Sequence, residues 1–184
     1  MHCKDYLNTT AEISLKLDHQ QLEKLVDGIY RTKGRIFVIG LGGSYANSIH
    51  MAADLRKLCN LDAHAMNPAE LTARANDDGM ASIFTGFIRD CKPIDTLFVL
   101  SVGGGTDEVS PGIAAAVKFA KDKGAGVLGI TGPNGGVTAQ LSDCCIKIPA
   151  TGSGTTPHTE AFQAVIWHCI VSHPLLQRTK PKWP

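Results

Sequence analysis

His50 and Asp54 stand four residues apart, downstream of a short apolar run, Ile36-Phe37-Val38-Ile39, and a glycine-rich turn, Gly40-Leu41-Gly42-Gly43-Ser44. On a helix that spacing puts both side chains on one face. An imidazole and a carboxylate so placed can share a divalent metal, or take and return a substrate proton. A lone histidine on a helix is more often a packed one; Asp54 and the glycine turn are what raise His50 to a candidate ligand or acid–base group. In the turn itself, Gly42 and Gly43 leave room for close backbone approach. Ser44 adds a hydroxyl beside the free N–H groups of the helix that follows, an arrangement suited to a phosphate.

A second loop of the same kind, Ser101-Val102-Gly103-Gly104-Gly105-Thr106, follows the apolar run Thr96-Leu97-Phe98-Val99-Leu100. In a parallel sheet both loops open on the edge formed by the strands' C-terminal ends, where ligands bind. The first loop is no dinucleotide fingerprint, because Tyr45 takes the place of the third glycine, and no P-loop, because no Gly-Lys-Ser/Thr follows. Such a loop suits a small phosphorylated ligand held by N–H groups and hydroxyls. Near the C-terminus, Glu160 and His168 lie on a stretch whose apolar residues Phe162, Val165, Ile166 and Ile170 already explain a packed helix. His158 competes for a ligand role, and Asn76-Asp77 reads as a turn. His2, His19, His64 and His173 read as surface or core, Trp167 as packing and Trp183 as tail.

These residues need a scaffold, and its elements follow from the pattern. Thr9-Thr10-Ala11-Glu12 has capping-box spacing, and Asp18 with Gln21 opens a second helix whose stripe is Leu22, Leu25, Val26 and Ile29. Strands are expected at Ile36–Ile39, Asp62–Met66, Thr96–Leu100, Gly126–Thr131 and Cys144–Ile148. Helices are expected after Ser44, at Met80–Cys91, at Pro111–Lys123, briefly after Gly136, and at Glu160–Val171, with a loop from Pro149 to Pro157. Short apolar strands alternating with helices predict an α/β three-layer sandwich, a five-stranded parallel sheet covered on both faces. The two helices in residues 1–34 precede the first strand, cannot be sheet crossovers, and are expected in oligomer contacts. Residues 174–184 form a tail, and the whole of 1–184 reads as one domain.

Composition narrows the classes. A formal charge of +1 without a basic stripe excludes a nucleic-acid surface, and no apolar run is long enough for a membrane span. Six cysteines without C-x-x-C spacing read as reduced thiols of a cytoplasmic protein.

Taken together, Gly40-Leu41-Gly42-Gly43-Ser44 with His50 and Asp54, Asn76-Asp77 with Gly79, Ser101 to Thr106, Thr131-Gly132 and the Glu160/His168 helix resemble, in order, the sugar isomerase (SIS) family. Within that family the chain is similar to the phosphoheptose (sedoheptulose 7-phosphate) isomerases. The resemblance implies a homotetramer with sites near subunit interfaces, and one zinc ion per subunit held by His50, Asp54, Glu160 and His168. It implies Asp54 as base and His168 as acid. It further implies a sugar-phosphate site formed by Leu41, Gly42, Gly43, Ser44, Asn76, Asp77, Ser101, Val102, Gly103, Thr106 and Glu160. Several positions depart from the family pattern: Leu41 for asparagine, Asp54 for glutamate, Glu160 for glutamine, Pro157 for aspartate, and a second loop keeping hydroxyls only at Ser101 and Thr106. Two lost neutral donors at roughly 0.5–1.5 kcal/mol each would weaken a phosphate site without abolishing it. Glu160 and His168 are eight residues apart, about 12 Å along an ideal helix. They meet one ion only by leaning together, or if Glu160 precedes the regular helix. The expected activity is a metal-assisted aldose–ketose isomerisation of sedoheptulose 7-phosphate through an enediolate. The alternatives are a non-catalytic sugar-phosphate-binding module and an isomerase of a different phosphosugar.

Overall fold

Alternation along short strands builds two cores at once. Ile36 and Val38 of β1 (Ile36–Ile39) join Phe98, Leu100, Leu128, Ile130 and Ile146 in one buried cluster, while Phe37 and Ile39 join Leu97, Val99 and Val127 in the other. The computed structural model describes residues 1–180 and Lys182, so Trp183 lies outside the described residues. Its sheet is five-stranded and wholly parallel, in the order β2-β1-β3-β4-β5, with β2 at Ala63–Ala65, β3 at Thr96–Ser101, β4 at Gly126–Thr131 and β5 at Cys144–Lys147. Helices α2 (His19–Arg31), α3 (Gly43–Cys59) and α8 (Thr155–Val171) pack in the first cluster, with Ile13 of α1 (His2–Lys16). Helices α5 (Ile83–Phe87) and α6 (Pro111–Asp122) pack in the second, and α7 (Gly136–Leu141) adds Val137 at its margin. The expected three layers are present.

Several boundaries differ from expectation, each for a local reason. Helix α1 starts before Thr9: the Thr9 and Thr10 hydroxyls donate to the carbonyls of Asp5 and Tyr6 inside the helix and cap nothing. Asp18 does cap α2, its carboxylate accepting the N–H groups of Gln20 and Gln21. Helix α4 (Pro68–Asp77) replaces an expected irregular stretch, started by the Asn67 side chain accepting from Ala69 N–H and by Pro68 at the first position. The helix expected over 80–91 contracts to α5, where Arg74 of α4 lies over Gly86 and a Cβ there would collide with its guanidinium. Helix α8 begins at Thr155, so Pro157 occupies its first turn, where a missing N–H breaks no intrahelical bond. The expected loop from Pro149 to Pro157 is correspondingly short, ending in a 3-10 turn at Gly152–Gly154.

The strand order positions the site. The chain leaves β1 through α3 toward β2 on one side and leaves β3 through α6 toward β4 on the other. A crevice therefore opens between the two glycine loops at the C-terminal ends of β1 and β3, the ligand-binding position of open α/β sheets.

The opposite ends of the same strands are tied by Asp95, which is buried. Its carboxylate accepts the backbone N–H groups of Arg35 (2.7 Å) and Lys92 (2.9 Å) and the Arg35 guanidinium (3.0 Å). Burial alone would push this carboxyl's pKa up; the backbone bonds from Arg35 and Lys92 and the guanidinium beside it bring it below the ordinary value. A carboxyl depressed in the folded state adds stability above its unfolded pKa and loses it as pH falls through the folded one. Asp95→Asn is therefore expected to cost about 2–3 kcal/mol at neutral pH and to flatten the loss of stability on acidification below about pH 4, read as urea midpoints across pH. An unchanged acid limb in the variant would show that other carboxylates govern it.

Candidate active site

Helices α3 and α8 lie side by side, and their meeting determines which polar groups face one another. Asn47 of α3 donates through Nδ2 to the Glu160 carbonyl (2.9 Å) and to Gln163 Oε1 (3.0 Å). Gln163, fully buried, donates through Nε2 to Ser44 Oγ (3.0 Å), and Ser44 is itself buried. Ser48 donates to the Tyr45 carbonyl, and Tyr45 donates its phenolic hydroxyl to the Met66 carbonyl (2.9 Å), securing the head of α3 to the chain beyond β2. Burial raises the Tyr45 pKa, which keeps it a neutral donor. This seam was not anticipated from the sequence. Its one visible signal is Gln163, a polar residue among Phe162, Ile166 and Ile170.

Beyond the seam the two helices bring His50, Asp54 and His168 together, each offering a ligand atom within 4.8 Å of the others. His50 Nε2 and Asp54 Oδ2 are 3.7 Å apart. His168 Nδ1 lies 2.7 Å from the Ala164 carbonyl; a carbonyl only accepts, so Nδ1 carries the proton and Nε2 presents its lone pair. Asp54 is largely covered, whereas both histidines are exposed. Two imidazoles and one carboxylate form a donor set that suits a divalent metal with a coordination position left open.

Glu160, expected as a fourth ligand, stands outside this trio. It lies within the regular part of α8, so the helical rise from Glu160 to His168 applies in full. Its carboxylate instead covers Gly43 at the head of α3, where a Cβ would run into it. His158 is also removed from the ligand set. It is buried, stacked on Tyr6 with ring centroids 4.2 Å apart, and its Nδ1 lies 2.9 Å from the Gly154 carbonyl. Asn76 and Asp77 are exposed at the end of α4, bonded to each other (2.8 Å), and belong to a helix rather than to the turn read from sequence.

The first loop leaves Gly42 and Gly43 exposed and Leu41 packed against the second core. Gly42 combines φ +61° with ψ −128°, a conformation open essentially to glycine alone, and so starts α3 without a side-chain cap. The Ser44 hydroxyl belongs to the helix seam. In the second loop, Ser101 Oγ accepts the Gly104 N–H (3.0 Å) and Thr106 Oγ1 accepts that of Val109 (2.8 Å). The carbonyls of Gly104 and Gly105 accept the N–H groups of Thr138 and Val137 at the head of α7, and the Val102 carbonyl accepts that of Gly132. Both hydroxyls thus shape the loop, and Gly103 is left exposed at its tip. All six cysteines are free. Burial pushes the Cys59 thiol up to about 11, which disqualifies it as a thiolate nucleophile.

No model of a known protein family matches the chain. It is 32% identical over 154 residues to a phosphoheptose isomerase of Rhodospirillum rubrum, spanning 79% of this chain and 78% of that relative. It is likewise 32% identical over 159 residues to a phosphoheptose isomerase of Mycobacterium tuberculosis, covering 82% of this chain and 77% of that one. Among solved structures, the phosphoheptose isomerase GmhA of Neisseria gonorrhoeae superposes with a TM-score of 0.80 at 23% identity, covering 92% of each chain; at that identity the likeness speaks for the fold.

The seam can be tested without any substrate. Gln163→Leu removes the donor to Ser44 and the acceptor of Asn47 while keeping most of the volume, and is expected to cost about 1–3 kcal/mol in urea unfolding. A loss under about 0.5 kcal/mol would mean that water replaces both bonds.

Proposed function

This chain belongs to the phosphoheptose isomerase family, and from that premise we propose that it converts sedoheptulose 7-phosphate to an aldoheptose 7-phosphate at the His50–Asp54–His168 cluster. The observation that carries the proposal is the convergence of two imidazoles and a carboxylate from α3, the helix that leaves the first glycine loop, and α8. The reaction moves a proton between adjacent carbons and needs a base, an acid and a phosphate anchor. Asp54 has two oxygens: Oδ2 faces His50, and the other is the one we assign to take the proton next to the substrate carbonyl. His168 Nε2 is assigned to donate to and accept from the carbonyl oxygen, its ring held by the Nδ1 bond to Ala164. A zinc ion, one per subunit, would be held by His50, Asp54 and His168 and would polarise the substrate oxygens when bound. For His168, ligand and acid fall on the same nitrogen and exclude each other at any instant.

Residues near the loops complete the reading. Gly43 and Ser44 at the head of α3 lie about 10 Å along that helix from His50, a distance that the polyol chain of a seven-carbon sugar can span. Leu41, Gly42, Val102, Gly103, Asn76 and Asp77 are assigned to line the sugar, Ser101 to bond the phosphate with its O–H hydrogen, and Thr106 to do so by giving up its 3.4 Å bond to the Val109 carbonyl. A single domain over 1–184 and a cytoplasmic setting, in keeping with free thiols, belong to the same proposal, as does a homotetramer. In its favour, α1 buries only Ile13 while Leu7 and Leu15 are exposed, and Ile49 and Val165 are exposed beside the cluster.

The test is conversion of sedoheptulose 7-phosphate with and without a chelator, with metal content measured alongside. Wild type is expected to carry close to one divalent ion per chain. Asp54→Asn is expected to cut kcat about 100-fold or more; full turnover with metal retained would remove Asp54 as base. Ser101→Ala and Thr106→Ala are expected to raise KM with kcat at saturation little changed, the signature of lost uniform binding. Tight binding of the substrate without turnover would favour a non-catalytic binding module, and turnover of a shorter phosphosugar alone a different isomerase.

A further inference from the structure

Trp167 is the largest fully buried side chain of the described residues, and its indole Nε1 has no hydrogen-bond partner among them. An unpaired buried donor is a penalty that phenylalanine or leucine in the same place would not carry. The indole's surroundings show what the wider ring does there. Its ring centroid lies 3.5 Å from that of His168, tilted by 32°, and 4.6 Å from that of His50, meeting it edge-on at 63°. The two imidazoles are themselves 5.5 Å apart and nearly perpendicular. Both histidines are exposed on their outer sides, so Trp167 is the rigid surface against which each is set from within. A metal-binding histidine needs its ring plane fixed as well as its nitrogen in reach. For His168 the Ala164 carbonyl supplies one restraint; among the described residues His50 has no such partner beyond Asp54.

We propose that Trp167 is a positioning residue of the cluster, its indole holding the His50 and His168 rings in the relative orientation that lets them bind one divalent ion with Asp54. This rests on the metal reading made above for the same three residues. A six-membered ring alone is too small to back both imidazoles, which is why stability and metal affinity should separate on substitution. Trp167→Phe removes the unpaired N–H but leaves a cavity in the core, so thermal stability should fall only modestly while metal binding weakens strongly. Trp167→Leu should weaken it further.

The experiment uses the full chain carrying Trp183→Phe, which leaves Trp167 as its one tryptophan. Cobalt(II) is titrated into metal-stripped protein, following indole emission and the visible absorption of the bound ion, beside thermal unfolding of the metal-free forms. Wild-type Trp167 is expected to show saturable quenching with one cobalt per chain. Trp167→Phe should show cobalt affinity lower by about tenfold or more with only a modestly lower Tm, and an altered absorption envelope from the reoriented imidazoles. Phe and Leu variants that bind cobalt as tightly as the parent and with the same spectrum would overturn the positioning role while leaving the metal site intact. No saturable cobalt binding to the parent, by quenching or absorption, would overturn the metal reading itself and the positioning role with it.

Discussion

The chemistry proposed for this protein depends on how two helices distant in sequence are joined. Asp54 and His50 come from α3 and His168 from α8, so no local pattern brings them within reach. Their reach is set by the polar seam of Asn47, Gln163 and Ser44. In that buried interface each group has few alternative partners, and shifting α8 by one residue along α3 would break all three bonds. Apolar packing of Phe162, Ile166 and Ile170 favours the association without directional bonds of its own. The seam therefore gives direction to an association that burial makes strong.

The sheet was legible in the sequence because each strand is a short apolar run ended by glycine or a polar turn, and the observed β3 and β4 fall close to their expected limits. What was less legible is instructive. Helix α4 carries no buried residue in its ten positions, so it left no apolar stripe to detect; only Asn67-Pro68 marked its start. The early onset of α1 was obscured by Thr9-Thr10, which imitate a cap but bond inside the helix. In the site, the His50/Asp54 pair followed from their helical spacing together with the glycine turn ahead of them. The removal of Glu160 from that pair depended on where α8 begins, and two glycines and a proline just ahead made the stretch read as loop. Asn47 and Trp167 left no signal, because an asparagine on a helix and a tryptophan in an apolar run each have a commoner explanation.

The position of Glu160 bears on how the two glycine loops divide their work under the isomerase reading. Its carboxylate covers Gly43 at the head of α3, the place where helix N–H groups would otherwise invite an anion. A helix N-terminus offers an anion roughly 0.3–2 kcal/mol, whereas two like charges about 4 Å apart near a protein surface repel by about 4 kcal/mol. Repulsion wins, so a phosphate is disfavoured there and a neutral polyol, able to donate hydroxyls to the carboxylate, is favoured. The second loop has no carboxylate directly against its glycines, although exposed Asp107 and Glu108 follow it, Asp107 being paired with Lys118: Gly104 and Gly105 meet the backbone around Gly135 and the head of α6, and Gly103 is open. Under the proposed isomerase reading, with Ser101 and Thr106 holding that loop in shape, the phosphate end of a substrate is assigned to the second loop and the polyol chain to the first. The reacting carbons are then carried along α3 toward Asp54.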